Sequence, residues 1–204
     1  NSQIKKFKKL FIKKIKIIDC SFGLKESLKD NLDRIQTEAE ISVREGSSIL
    51  ILTDKNISEK RANIPMILSV GAINSHLVKL GLRGYCSINV ETSETLDTHS
   101  FAVLIGAGAT TINPYLVLDS IYQRYEKKLF GKIDFNTCVE RFKKSVENGL
   151  LKIMSKMGIS VISAYRGGCN FETVGLSRAL VSDYFPGMLS RISGIGITGI
   201  ENKI

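Results

Sequence analysis

The stretch 150–168, LLKIMSKMGISVISAYRGG, sets a helical pattern, a helix stop, a β-branched run and a glycine loop in immediate succession. Leu150, Leu151, Met154 and Met157 fall at i, i+1, i+4 and i+7, which predicts one apolar helix face with Lys152 and Lys156 turned to water. Gly158 is expected at the left-handed position that closes the helix. Ile159, Val161 and Ile162 predict a short strand. Tyr165, Arg166, Gly167 and Gly168 then fall at its carboxyl end, the edge where open sheets and barrels gather binding groups.

Working outward, the same grammar repeats. Ile15, Ile17 and Ile18 predict a first strand, and Leu24, Leu28, Leu32, Ile35 and Ala39 the buried side of a helix over about 24–45, stopped by Gly46. Ser48–Thr53 is a continuous apolar run, as expected of a parallel strand covered on both faces. Asp54–Asn63 reads as a charged loop, Pro65 opens a helix that runs to Gly81, and Cys86–Glu91 predicts a third strand. Asp97 is placed to cap a helix that Gly106 and Gly108 close. Thr110–Ile112 predict a fourth strand, Leu116–Tyr125 a helix, Lys127–Lys132 a basic loop and Phe135–Met157 a long helix. Phe171–Val174 and Arg178–Phe185 are expected as short helices, and RISGIGITGIENKI as a connector. Recurrent strand, loop and helix select an α/β class with a mainly parallel sheet. A closed eightfold barrel takes about 250 residues, so the expected architecture is an incomplete, barrel-like (β/α) domain.

The chain has 204 residues and a net charge of +9. Of its 29 basic residues, seven are the lysines between Lys5 and Lys16, ahead of the first acid, Asp19. The remaining 22 stand against 20 acidic residues, so the body of the chain is nearly neutral. Residues 1–14 therefore form a basic leader, either a solvated linker or an amphipathic arm for anionic membranes or nucleic acid. Nucleic-acid and membrane partners are not expected: no apolar run approaches the ~20 residues of a spanning helix, and no signal-peptide pattern is present. The first residue is Asn1, which suggests an excerpt of a longer polypeptide. Cys20, Cys86, Cys138 and Cys169 are scattered, without the spacings of zinc or iron–sulfur ligands. Lys outnumbers Arg and Ile is abundant, which suggests an AT-rich genome such as a plastid's.

His76 and His99 have no carboxylate partners at metal-ligand spacing, and no metal site is expected. Gly106 and Gly108 follow a helix rather than a strand, so they fit a helix end better than a dinucleotide fingerprint. The Arg166–Gly168 loop fits either an anion site or a tight turn whose arginine pairs with Glu91 or Glu172. No complete catalytic set is evident.

Three segments, IPMILSVGAINSHLVKLGLRG at 64–84, THSFAVLIGAGATTINPYLVLDSI at 98–121 and GLLKIMSKMGISVISAYRGGCNFETVGL at 149–176, resemble the central domain of the large glutamate synthases, in order and in register across nearly all of residues 16–196. Asn74, Ser75, Ala107, Ser163, Ala164, Gly168, Cys169 and Asn170 depart from the pattern of that family. The resemblance implies a central domain over 15–196 and a connector over 197–204 to a flavin-binding domain. It implies a whole enzyme that converts L-glutamine and 2-oxoglutarate to two L-glutamate with reduced ferredoxin. FMN and a 3Fe-4S iron–sulfur cluster would be bound outside this chain, and the partners would be glutaminase, flavin-barrel and β-helix domains of the same polypeptide. Within the chain it implies no catalytic, cofactor or metal residue. Glu91, His99, Asn113, Tyr165, Arg166 and Gly167 are the expected tunnel-wall or interdomain positions. A plastid stroma, or alternatively a bacterial cytoplasm, is the expected location, and the isolated chain is expected to be inactive. The alternative is an independent phosphate-binding α/β enzyme built on Arg166–Gly168.

Overall fold

The computed structural model describes residues 14–168 and 170–204, so residues 1–13 of the basic leader expected over 1–14, and Cys169, lie outside the described residues. Four strands, β1 (Ile15–Asp19), β3 (Ile49–Thr53), β5 (Ser87–Thr92) and β6 (Thr111–Pro114), pair in parallel in that spatial order. The helices between them are α1 (Leu28–Arg44), α2 (Met66–Lys79) and α3 (Thr98–Ala107). Strand order follows chain order without reversal, so right-handed crossovers stack the helices on one face, as in a segment of a barrel rather than a doubly wound sheet. Among the described residues the sheet does not close. This is the incomplete barrel-like α/β domain that the strand and helix spacing predicts.

The core lies between the sheet and these helices. Ile18, Leu50, Leu52, Ile88 and Val90 point from alternate strand positions onto Leu28, Leu32, Ile35, Ile73 and Leu77. β3 is buried at every position, as its unbroken apolar run requires. Helix ends are specified by local chemistry. Ser27, Asp97 and Asp134 accept backbone N–H groups of the first turns of α1, α3 and the later helix α5 (Phe135–Lys156). Gly46, Gly81 and Gly158 take positive φ just past α1, α2 and α5. At Gly158, Ile159 N–H bonds to the Met154 carbonyl (2.9 Å) and Gly158 N–H to that of Ser155 (3.2 Å), closing a Schellman motif.

Several expectations are corrected. No strand follows Gly158: Ile162–Tyr165 forms one helical turn, α6. A short β-branched run does not fix its own period. Here Ile159 and Tyr165 gain burial against Ala102 and Met154, between α3 and α5, by turning rather than extending. For the same reason the inward face of α5 is Val146, Leu150, Ile153 and Met154, while Leu151 and Met157 are exposed. Leu24 is exposed because α1 begins at Leu28, behind the Ser27 cap and four residues later than the helical pattern predicts. The charged loop after β3 contains β4 (Arg61–Asn63), antiparallel to β2 (Ser21–Gly23). Residues expected as a helix near Phe171 form β7 (Glu172–Leu176), which pairs in parallel with β8 (Leu189–Ile195) across α7 (Arg178–Tyr184). A last short helix, α8 (Ile197–Glu201), sends the Glu201 carboxylate to cap Leu28 N–H at 2.7 Å. The remaining helix, α4 (Tyr115–Glu126), forms a hairpin with α5 through Tyr122, Tyr125 and Phe135. No helix among the described residues is long and apolar enough to cross a membrane.

Candidate functional site at the carboxyl edge of the sheet

Parallel strands end together, so whatever follows them shares one edge. Asp54, the residue after β3, is fully buried there. Its Oδ2 accepts from Thr92 Oγ1 (2.8 Å), Ser93 N–H (2.9 Å) and Ser93 Oγ (3.1 Å), both residues standing at the end of β5. Burial, with the Asp54 carboxylate alongside, pushes the Tyr115 phenol up to about 12. Lys55 Nζ lies 3.3 Å from Glu91 Oε2 and 5.1 Å from the Tyr115 ring centroid, joining the ends of β3, β5 and β6. Glu94 accepts from Met66 N–H at 2.9 Å and so supplies the cap that Pro65, as N-cap of α2, lacks.

The six expected site positions do not converge. Glu91 and Asn113 do meet at this edge, as register partners on β5 and β6, and Asn113 Nδ2 is buried without a hydrogen bond. His99 is exposed on the first turn of α3, which begins at the same edge. Tyr165, Arg166 and Gly167 lie at the far end of α3, where Gly167 N–H reaches the Ile105 carbonyl at 3.4 Å. The ten residues of α3 separate the two groups by about 15 Å of helix.

At that far end, Tyr165 is 1% exposed and packs edge-on against Phe171, with ring centroids 6.0 Å apart. Arg83 donates Nε to Asn74 Oδ1 (2.8 Å), Nη1 to the Cys86 carbonyl (2.6 Å) and Nη2 to the Gly108 carbonyl (2.8 Å). Burial lowers its pKa, and the nearby Arg166 lowers it further. The Arg166 loop thus sits by the carboxyl end of a helix, where the macrodipole is negative and carbonyls point outward, rather than beyond a strand. That field opposes a bound phosphate. The acids proposed to pair with Arg166 are engaged elsewhere, Glu91 with Lys55 and Glu172 with Arg191 at 3.5 Å. His76 bonds Glu40 Oε2 at 2.9 Å and ties α2 to α1.

Asp54, Lys55, Thr92, Ser93 and Tyr115 went unselected in the sequence, although a signal was there. Each sits at or just past the end of a parallel strand, where polar groups on neighbouring strands must meet. Arg83 gave no such signal, because its partners are two backbone carbonyls and one amide.

A profile of the glutamate synthase central domain matches residues 1–177. The chain belongs to the glutamate synthase family. It is 54% identical over 190 residues to the glutamate synthase [NADPH] large chain of Azospirillum brasilense, covering 92% of this chain. Against the [NADPH] large chain of Bacillus subtilis the identity is 40% over 91% of the chain. Against the chloroplastic ferredoxin-dependent glutamate synthase of Spinacia oleracea it is 41% over 91%. The chain spans 12% of the length of each of these relatives.

Within this glutamate synthase central domain, Asn74 and Ser75 each hold neighbouring elements together. Asn74 bonds Arg83 and fills the space beside Gly108, where an added Cβ would lie 2.5 Å from the Asn74 side chain. Ser75 Oγ donates to the carbonyls of Ala72 (3.1 Å) and Asp183 (3.3 Å), joining α2 to α7. Among the described residues the donor set does not fit an iron–sulfur cluster. Cys20, Cys86 and Cys138 are separately buried, and no group of three or more His, Cys, Asp or Glu among the described residues is arranged to hold a metal. Burial pushes the Cys20 thiol up to about 12, the reverse of what a thiolate ligand requires.

Proposed function

We propose that this domain connects the reaction centres of a longer glutamate synthase. In this reading a glutaminase domain hydrolyses L-glutamine, and a flavin barrel holding FMN and a 3Fe-4S cluster reduces the imine formed from ammonia and 2-oxoglutarate. The central domain walls the ammonia path and sets the spacing between the domains. The match to the central-domain profile over residues 1–177 carries the reading. The sheet edge is consistent with it: Asp54, Lys55 and Glu91 hold neighbouring strands and loops to one another, a positioning role that leaves chemistry to other domains.

For the electron donor, 54% identity to an NADPH-dependent chain against 41% to a ferredoxin-dependent one supports NADPH over the ferredoxin that composition suggests. The same contrast supports a bacterial cytoplasm over a plastid stroma. The test is glutamate formation by the purified full-length protein from glutamine and 2-oxoglutarate, supplied in parallel with NADPH or with reduced ferredoxin. Turnover with NADPH alone is expected. Turnover with ferredoxin alone would overturn the donor assignment, and turnover with neither would overturn the enzyme assignment.

A further inference from the structure

Two-stranded parallel ribbons rarely stand free, because parallel strands are normally covered on both faces. The β7–β8 ribbon nevertheless carries Val174 at 64% exposure and Ile192 at 61%. The two are register partners, so their side chains stand next to each other on one face. Leu189, 60% exposed, begins β8 opposite Glu172, and the Glu172–Arg191 ion pair supplies a polar border.

The ribbon is anchored through its flanking residues. Leu176 and Met188 pack on the main core, α7 buries Leu180, Val181 and Tyr184 in it, and Ile197 and Ile200 of α8 add to the same cluster. Within the ribbon, Gly175 and Gly194 bring the two backbones so close that a Cβ on Gly194 would lie 2.1 Å from the Gly175 carbonyl oxygen. Two register shifts against β7 interrupt the ladder of β8. Such irregularity bends a strand and blunts its edge, so the ribbon suits packing on its face better than addition of another strand.

We infer that the Val174–Ile192 face of the β7–β8 ribbon is a rigid seat for an apolar segment of the same, longer polypeptide. This rests on the proposed reading of the chain as one domain of a full-length synthase. The relatives it matches are large chains of which it spans 12%, which leaves ample intramolecular sequence to cover the seat. An uncharged aliphatic patch selects an apolar occupant, and its fixed backing means little ordering accompanies docking.

The test places Ile192→Cys, and separately Val174→Cys, in the full-length protein and follows alkylation by N-ethylmaleimide peptide by peptide. Native protein is compared with urea-unfolded protein. Both introduced thiols are expected to react at least about tenfold more slowly in the native protein, independently of protein concentration. Reaction at the unfolded rate in a folded full-length protein would overturn the seat alone. Protection lost on dilution would replace the intramolecular occupant with a second copy. A native polypeptide no longer than this chain would overturn both the seat and the functional reading beneath it.

Discussion

Arg83 Nη2 donates to the Gly108 carbonyl at 2.8 Å, tying the segment that enters β5 to the carboxyl end of α3. The same guanidinium reaches Asn74 within α2 and the carbonyl of Cys86, so one side chain joins a helix interior, a helix end and a strand start. Lysine cannot reproduce that fork. Arg83→Ala is expected to destabilise the protein by about 2–4 kcal/mol, since charged hydrogen bonds contribute roughly 1.5–3 kcal/mol each and do not add fully. Arg83→Lys should recover less than half of the loss. Urea denaturation checks both, and a full recovery by lysine would contradict the fork.

Gly71 lies inside α2, where alanine would ordinarily stabilise by about 1 kcal/mol. Here an added Cβ would lie 2.3 Å from Phe185 Cε1 and 2.8 Å from the Tyr184 carbonyl oxygen. The phenyl ring can swing aside; the backbone carbonyl cannot without moving α7. Gly71→Ala is therefore expected to destabilise by about 1–3 kcal/mol, whereas Gly84→Ala, with no atom within 4 Å of the added methyl, should be near neutral. A higher melting temperature for Gly71→Ala would refute the close approach.

Asp19 predicts an acid-sensitive latch. Burial works against its carboxylate, but bonds from Asn56 Nδ2 (3.0 Å), Ser21 Oγ (2.7 Å) and Ser21 N–H (2.9 Å), with Arg61 at 3.2 Å, outweigh it. Its pKa therefore falls below the ordinary 3.8. A carboxylate lowered in the folded state stabilises fully above its unfolded pKa, and that contribution disappears as pH falls through the folded value. Melting temperatures should fall more steeply with falling pH in the unsubstituted protein than in Asp19→Asn, with the curves converging once the pH lies below the folded value. Parallel curves would show that Asp19 has no part in acid unfolding.

Much of the fold was legible because the physics is local. The apolar run of Ser48–Thr53, the caps Asp97 and Pro65, and the stops Gly46, Gly81 and Gly158 each determine a boundary with neighbours a few residues away. The failures came where the deciding contact is distant in sequence. Ile159 and Tyr165 turn into a pocket completed by Ala102 of α3, and Glu172–Leu176 extends because β8 lies beside it, facts that neither segment contains. The site was legible in part for the same reason. Glu91 and Asn113 follow from strand order, whereas the position of Arg166 depended on a strand that does not form.

The most direct measurement of the connecting role is the ratio of glutamate formed to glutamine hydrolysed in the full-length protein carrying Glu91→Gln together with Asn113→Ala. These residues face one another at the sheet edge, apart from any group assigned to chemistry. The account predicts a glutaminase rate within about twofold of the unsubstituted protein, a lower glutamate yield per glutamine, and recovery of that yield with added ammonium. Loss of glutamine hydrolysis in a folded variant, or an unchanged ratio, would contradict it.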